Sequence, residues 1–386
     1  MFYISHSVNF NTNCGKIPDL DYMDKPKVTI VILVKDNADI LEDLLSAIFA
    51  QTVDFPFEVL AVDSGSLDGS LAILKRFLYK IKMQKSKLKI EVRGSGRGLY
   101  RNDDKSGDSG RSASWRVARM TKARSLRIHQ IAPIEFGFGK TRNLAARLAK
   151  GEIIVFLSTR VSPMDRDWLT NLIESLSPFT RIASGTVAAF GKVNPGPKIS
   201  FSEAFRLKTF YGRASRILTL GGNEATHPVC QARFQLLFSD LNGAILRYVL
   251  RKYPFPEDII GGEDQVLART ILENNMSIAY NPRAGVVYLR GHSFGEIFRH
   301  YFNKGYFLTK VVSISSLTVF WSWVRFLLHE IIYLIKKQNI RAIFKEIFFE
   351  LGRLLGYLLG QRADQLPMGL RERFLIGRLD NNQITR

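Results

Sequence analysis

From Lys27 onward, short β-branched runs alternate with stretches whose apolar residues recur at helical spacing, the pattern that builds a parallel sheet covered by helices. Val28 to Val34 reads as a buried strand. After it, Asn37 or Asp39 is placed to cap a helix that carries Ile40, Leu41, Leu44, Leu45, Ile48 and Phe49 on one face. Phe57 to Val62 is a second strand, running into Asp63-Ser64-Gly65-Ser66-Leu67-Asp68-Gly69, and Leu71, Leu74, Phe77, Leu78 and Ile81 line the next helix. Order resumes with a strand over Leu126 to Ile131, a helix over Thr141 to Ala149, and a strand Ile153 to Leu157 that ends in Ser158-Thr159-Arg160. A further helix buries Trp168, Leu169, Leu172, Ile173 and Leu176. Strands near Ser184 to Phe190 and Val286 to Leu289 flank a long middle region, in which Gly261-Gly262-Glu263-Asp264 opens a helix.

The periodicity fails between about residues 84 and 124, where glycines and serines interleave with basic residues, and a disordered surface insertion is expected. Lys85 to Arg127 holds thirteen Lys or Arg against four Asp or Glu. Nearly half of the chain's net +20 therefore sits there. Beyond Lys310, long apolar stretches carry basic punctuation. Val311 to Ile335 is long enough to cross a bilayer, but Arg325, His329 and Glu330 would be costly in hydrocarbon. Trp321, Trp323, Phe326, Tyr333 and Lys336-Lys337 fit helices lying in the interface better. The expected organisation is a tail over 1–24, an α/β domain over 25–310 that contains the insertion, and an amphipathic, membrane-associated helical region over 311–386.

Charge changes the picture only in part. A chain of 386 residues at +20 would attract nucleic acid, nucleotide phosphates or an anionic bilayer. Nucleic acid is disfavoured, because no reading motif interleaves the basic insertion with stacking aromatics. Cys14 and Cys230 make neither a disulfide framework nor a thiolate metal site. The N-terminal segment lacks a charged flank followed by an apolar run, so a catalytic part at the cytoplasmic face of a membrane is expected.

Ligands of open parallel sheets bind beyond the carboxyl ends of the strands. Val34-Lys35-Asp36 ends the first strand, Asp63 the second and Thr159-Arg160 a central one. Asp63 followed by Ser-Gly-Ser suits a carboxylate that accepts from a base imide or ribose hydroxyls, and also suits a plain turn cap.

Five stretches then occur in one order: Val-Thr-Ile-Val-Ile-Leu-Val-Lys-Asp-Asn (28 to 37), Val-Asp-Ser-Gly-Ser-Leu-Asp-Gly-Ser (62 to 70), Gly-Lys-Thr-Arg-Asn (139 to 143), Gly-Glu-Ile-Ile-Val-Phe-Leu (151 to 157) and Gly-Glu-Asp-Gln (262 to 265). Together with Pro254-Phe255-Pro256-Glu257, His292-Ser293 and the Leu354 to Gly360 run, they resemble family 2 inverting glycosyltransferases, in particular the bacterial rhamnosyltransferase-like subgroup.

The resemblance implies a GT-A fold: a Rossmann-like, mixed but mainly parallel α/β sheet flanked by helices. It implies a nucleotide-sugar donor near Val34, Lys35, Asp36, Asp63, Arg142, Asn143 and Thr159, and a saccharide or lipid-linked acceptor near Asp240 and Asn242. Asp264 matches the position of the general base, with Glu263 beside it to raise its proton affinity. Where such enzymes carry a carboxylate for a divalent metal, Mg²⁺ or Mn²⁺, this chain has Arg160. A guanidinium binds no metal but reaches phosphate oxygens with forked hydrogen bonds, so Arg160 is expected to stabilise the leaving diphosphate directly. His292, and Asp165 or another carboxylate, are the remaining metal-ligand candidates, and a catalytically inactive scaffold of the same fold is the alternative that Arg160 leaves open.

Overall fold

The β-branched runs form strands. In the computed structural model, which describes residues 26–94, 124–176, 185–219, 237–259, 261–311, 315–336 and 340–375, β1 (Val28–Val34), β2 (Phe57–Asp63), β3 (Arg124–Gln130) and β4 (Ile153–Leu157) make a parallel set. The short β5 (Val161–Pro163) and β7 (Arg216–Leu218) both pair with β9 (Ser277–Tyr288), which lies parallel to β6 (Thr186–Pro195). Antiparallel β8 (Asn242–Leu246) joins the two halves by lying between β4 and β6. The resulting order is β3-β2-β1-β4-β8-β6-β9-β5.

Helices cover both faces, so β1, β2 and β4 read as nearly unbroken apolar runs. In chain order they are α1 (Ala38–Phe49), α2 (Ser70–Gly94), α3 (Phe138–Leu148), α4 (Trp168–Ile173), α5 (Phe201–Phe210), α6 (Arg247–Lys252), α7 (Glu263–Glu273), α8 (Phe294–Val311), α9 (Ser316–Lys336), α10 (Ile340–Gln361) and α11 (Met368–Phe374). Leu41, Leu44, Leu45 and Ile48 are the buried face of α1, as their spacing requires.

Three expectations need correction. α1 is not capped by its own Asn37 or Asp39: Asp68, from the neighbouring loop, accepts from the Ala38 N–H at 2.8 Å. α2 runs on to Gly94, so the first part of the expected insertion is helix; residues 95–123 lie outside the described residues. The last main strand is not confined to Val286 to Leu289 but begins at Ser277, because the alternating Ser277-Ile278-Ala279-Tyr280 stretch is buried on both sides.

The C-terminal helices lie against the α/β domain. α10 packs along α8 at close range, because Gly356 and Gly360 face the Phe298 and Phe302 carbonyls and any side chain there would collide with them. α9 packs on α5 through Phe326, whose ring meets Phe205 at 5.2 Å and Phe210 at 6.3 Å. Glu330, fully buried, turns from α9 toward the Arg206, Glu350 and Arg353 cluster beneath it.

Candidate active site

The loops after β1 and β2 are laced together. Asp36, in the left-handed region at φ 49°, accepts from the Leu67 N–H at 2.8 Å, and its own N–H donates to Ser66 Oγ at 3.1 Å. Lys35 Nζ donates to the Gly65 carbonyl at 2.8 Å. The Val34 carbonyl accepts from the Ser64 N–H at 3.0 Å. Beneath them Asp63 is fully buried, its carboxylate facing the Gly65 and Ser66 N–H groups at 3.3 and 3.4 Å. Thr159 Oγ1 donates to Asn37 Oδ1 at 3.0 Å and ties the end of β4 to the same rim. Val34, Lys35, Asp36, Asp63 and Thr159 are thus brought to one edge of the sheet.

A second cluster stands beside that rim. Arg142, buried on α3 between the Phe138 and Phe255 rings, pairs with Glu263 at 2.6 Å and also with Asp240. Burial alone would lower the guanidinium's proton affinity, but Asp240, Glu263 and Asp264 around it raise it. Glu263 turns back over its own helix start. Its Oε2 accepts from the N–H groups of Gly261 and Gly262, at 2.9 and 3.0 Å, and these glycines adopt φ of 84° and 125° that favour residues without a Cβ. Both Glu263 oxygens are therefore engaged. Its place among the catalytic residues is corrected to a positioning one.

Asp264 is different. Among the described residues it accepts from Gln265 at 2.8 Å and makes no ion pair. Burial first, then the Asp240 and Glu263 charges, push its carboxyl up to about 8, against the downward pull of Arg142. Burial likewise pushes Asp240 up to about 6 despite its ion pair with Arg142. A carboxylate with so high a proton affinity is a competent proton acceptor.

Arg160 lies on the same side of the molecule. The Ser158 N–H donates to the Leu241 carbonyl at 3.0 Å, so the segment after β4 runs beside Ser239-Asp240. Arg160 Nη2 pairs with Glu296 at 3.1 Å near the start of α8, while Gly261 lies against Asn303 and Lys304 of the same helix. At 1.5 Å of rise per residue, the stretch from Glu296 to Asn303 separates these two contacts by about 10 Å. Arg160 and the Gly261–Asp264 segment are therefore both placed along α8.

Glu296 and Glu203, both absent from the expected set, were marked by Ser-x-x-Glu spacing at helix starts. Ser293 and Glu296 exchange hydrogen bonds of 2.8 and 3.3 Å, and Ser200 Oγ accepts from the Glu203 N–H at 3.1 Å. Despite burial, the Ser293 N–H and Arg160 hold Glu296 down at about 2. His292 Nδ1 sits 2.8 Å from Glu203.

Two further expectations are corrected. Asn143 spends its amide on Phe255, donating to its carbonyl and accepting from its N–H at 2.9 Å each, and on Glu257 at 3.0 Å; it holds the Pro254–Glu257 segment instead of facing a donor. Asn242 is fully buried, accepting from Trp168 Nε1 and donating to the Ala284 carbonyl at 2.8 Å each, so it cannot meet an acceptor. A divalent metal does not fit the end of β4: Thr159 and Arg160 offer no carboxylate, and His292 has one acidic partner. Among the described residues no group of three or more His, Cys, Asp or Glu is placed to hold an ion.

No protein-family model matches the chain. A search of solved structures finds a mannosyltransferase, PcManGT from Pyrobaculum calidifontis in complex with GDP-Man and Mn²⁺, at a TM-score of 0.50 and 16% identity, over 89% of this chain and 88% of that one. The fold is that of GT-A glycosyltransferases. Among curated proteins, the O-antigen chain rhamnosyltransferase RfbN of Salmonella typhimurium strain LT2 is 22% identical over 347 residues, 89% of this chain and 92% of the relative. Within the GT-A frame, the rim of Asp63 and Thr159 and the cluster of Asp240 and Asp264 both lie at the carboxyl edge of the sheet.

Proposed function

We propose that this chain is a glycosyltransferase that moves a sugar from a nucleotide-sugar donor to a saccharide or lipid-linked acceptor in cell-surface glycan synthesis, with inversion at the anomeric carbon. The full-length likeness to a rhamnosyltransferase and the GT-A fold support the class of reaction. The observation that supports this mechanism is Asp264, a proton-avid carboxylate that makes no ion pair among the described residues, with Arg160 held near the start of α8. Asp264 takes the proton of the acceptor hydroxyl as its oxygen bonds to the anomeric carbon. The bond from that carbon to the diphosphate breaks on the opposite face, and its electron pair leaves with the diphosphate oxygen. Arg160, released from Glu296, meets that charge with its fork of N–H donors. Arg142, Asp240 and Glu263 position Asp264.

The helical region supports a membrane-surface position for this chemistry. α9 is the one described helix long and apolar enough to cross a bilayer. Its buried Glu330 and its packing on α5 favour a position along the enzyme. Leu317, Trp321, Leu328, Ile332 and Ile335 on α9, and Phe344, Phe348, Leu351, Leu355 and Leu359 on α10, are exposed at helical spacing. With exposed Arg325, Lys336, Lys345 and Arg362 among them, they suit an anionic membrane surface in its interface.

The test is release of nucleoside diphosphate from a panel of nucleotide-sugars, in the presence of membranes that carry acceptor. Turnover of at least one donor by the wild type and its loss in Asp264→Asn is the expected result. No turnover of any donor, with specific binding retained, would make the chain a scaffold instead.

A further inference from the structure

α9 buries Val319, Glu330 and Leu334, so one of the side chains that seat this mostly exposed helix is an acid. Glu330 is fully buried, and neither of its carboxylate oxygens has a hydrogen-bond partner among the described residues. The guanidiniums beside it are directed elsewhere. Arg206 of α5 donates through Nε to Glu350 Oε1 at 3.1 Å, pairs with the other Glu350 oxygen through Nη2, and donates to the Tyr301 hydroxyl of α8 at 3.2 Å. Arg353 of α10 also pairs with Glu350 and donates to Ser202 Oγ at 2.6 Å, while Ser202 donates to Glu350 at 2.8 Å. Glu350 thus collects two cations and a hydroxyl, and Glu330 stands beside it with no ion pair among the described residues. Glu346, one turn earlier on α10, adds a second buried acid with an unpaired oxygen. The other charged groups on the facing elements, Lys208 of α5 and Lys345 of α10, are exposed, as are Arg325 and His329 of α9 itself.

A carboxyl so placed is tolerated as the neutral acid. Ionised, it is a buried charge without a partner, which is strongly disfavoured, and turning α9 outward into water relieves it. We infer that Glu330 is a protonation lock: α9 stays seated on α5 and α10 while Glu330 holds its proton, and lifts from them when Glu330 ionises. Burial first, then the Glu350 charge, push the Glu330 carboxyl from 4.5 up to about 7, against the downward pull of Arg206 and Arg353. For a carboxyl raised in the seated form, the contribution to seating is complete below 4.5, decays as pH climbs toward about 7 and is gone above it. α9 also carries Leu317, Trp321, Leu328, Ile332 and Ile335 on its exposed face. The lock therefore sets whether that apolar face and the catalytic domain move as one body. Its role at a membrane rests on the reading given above, but the lock itself does not depend on sugar transfer.

Hydrogen–deuterium exchange of the full chain at pH 5 and pH 8, corrected at each pH for the intrinsic rate, tests this. In the wild type, protection of peptides from residues 316–336 is expected to fall by more than about tenfold from pH 5 to pH 8, while peptides from β1 and β4 keep theirs. Glu330→Gln keeps the shape of the side chain and cannot ionise, so its α9 protection is expected to agree at the two pH values within about threefold. Glu330→Leu is expected to behave in the same way and keeps the test decisive if the amide variant does not fold. Undiminished wild-type protection of α9 at pH 8 overturns the lock. A loss of protection in either folded variant as large as that in the wild type overturns it too. Donor turnover by the wild type is measured separately, and its absence would remove the glycosyltransferase reading while leaving the lock in place.

Discussion

Arg142 on α3 and Glu263 at the start of α7 form a buried ion pair 2.6 Å long, across 121 positions of sequence. The same guanidinium holds Asp240, so one cation sits among three acidic residues, Asp240, Glu263 and Asp264. Removing it would leave those charges without compensation in a buried setting. Arg142→Leu is expected to cost about 3–5 kcal/mol of stability and to abolish transfer. Arg142→Lys keeps the charge but loses the fork, so it is expected to fold and to transfer weakly. Chemical denaturation and donor turnover on both variants check this.

The high proton affinity of Asp264 has opposite consequences for rate and for stability. As a base it works only when ionised, so kcat/KM is expected to rise with pH through about 8. A carboxyl raised from 3.8 stabilises the fold in its protonated form, and that contribution is lost as pH climbs toward about 8. Asp264→Asn is therefore expected to be inactive yet more stable, by about 1–3 kcal/mol at pH 8, with the gain fading below pH ~4. Melting curves at pH 4 and pH 8 give the sign directly. A variant less stable than the wild type at pH 8 would contradict the burial of this carboxyl.

Membrane attachment is expected to depend on the exposed stripe. Changing Phe344, Leu351 and Leu355 to Ser should reduce co-sedimentation with vesicles containing phosphatidylserine at least tenfold, without lowering the melting temperature. Binding should also weaken with salt, because Arg325, Lys336, Lys345 and Arg362 contribute to it. Undiminished sedimentation of the triple variant, or a salt-insensitive second copy on that face, would rule out this mode.

Asn143→Ala separates scaffold from chemistry. Its amide holds Phe255 and Glu257, so the substitution is expected to destabilise by about 1–3 kcal/mol while leaving the donor KM within about twofold. A large KM effect at unchanged stability would return Asn143 to the donor site.

Local signals made much of this molecule readable. The strands from Val28 to Val34 and Ile153 to Leu157 announce themselves by β-branched runs, and the carboxyl edge of the sheet then points to Asp63, Thr159 and Arg160. Gly261-Gly262 before Glu263-Asp264 marks a helix start whose acidic groups converge. What lay hidden depends on contacts that local pattern does not encode. Asn242-Gly243 resembles a polar turn, yet it begins the antiparallel strand β8 and meets Trp168 in the core. Asp68 caps a helix that precedes it by thirty residues. The pairing of Glu203 with His292 spans 89 positions, and only the Ser-x-x-Glu spacing hinted at either glutamate.

In the proposed mechanism Arg160, in place of a metal-binding carboxylate, receives the charge of the departing diphosphate. Its most direct test is the rate of nucleoside diphosphate release in EDTA, with and without added Mn²⁺, for the wild type and Arg160→Ala. Wild-type turnover insensitive to EDTA, with kcat falling about 10²–10³-fold in Arg160→Ala, is the expected result. Strict dependence on added metal in the wild type, with Arg160→Ala unimpaired, would contradict it.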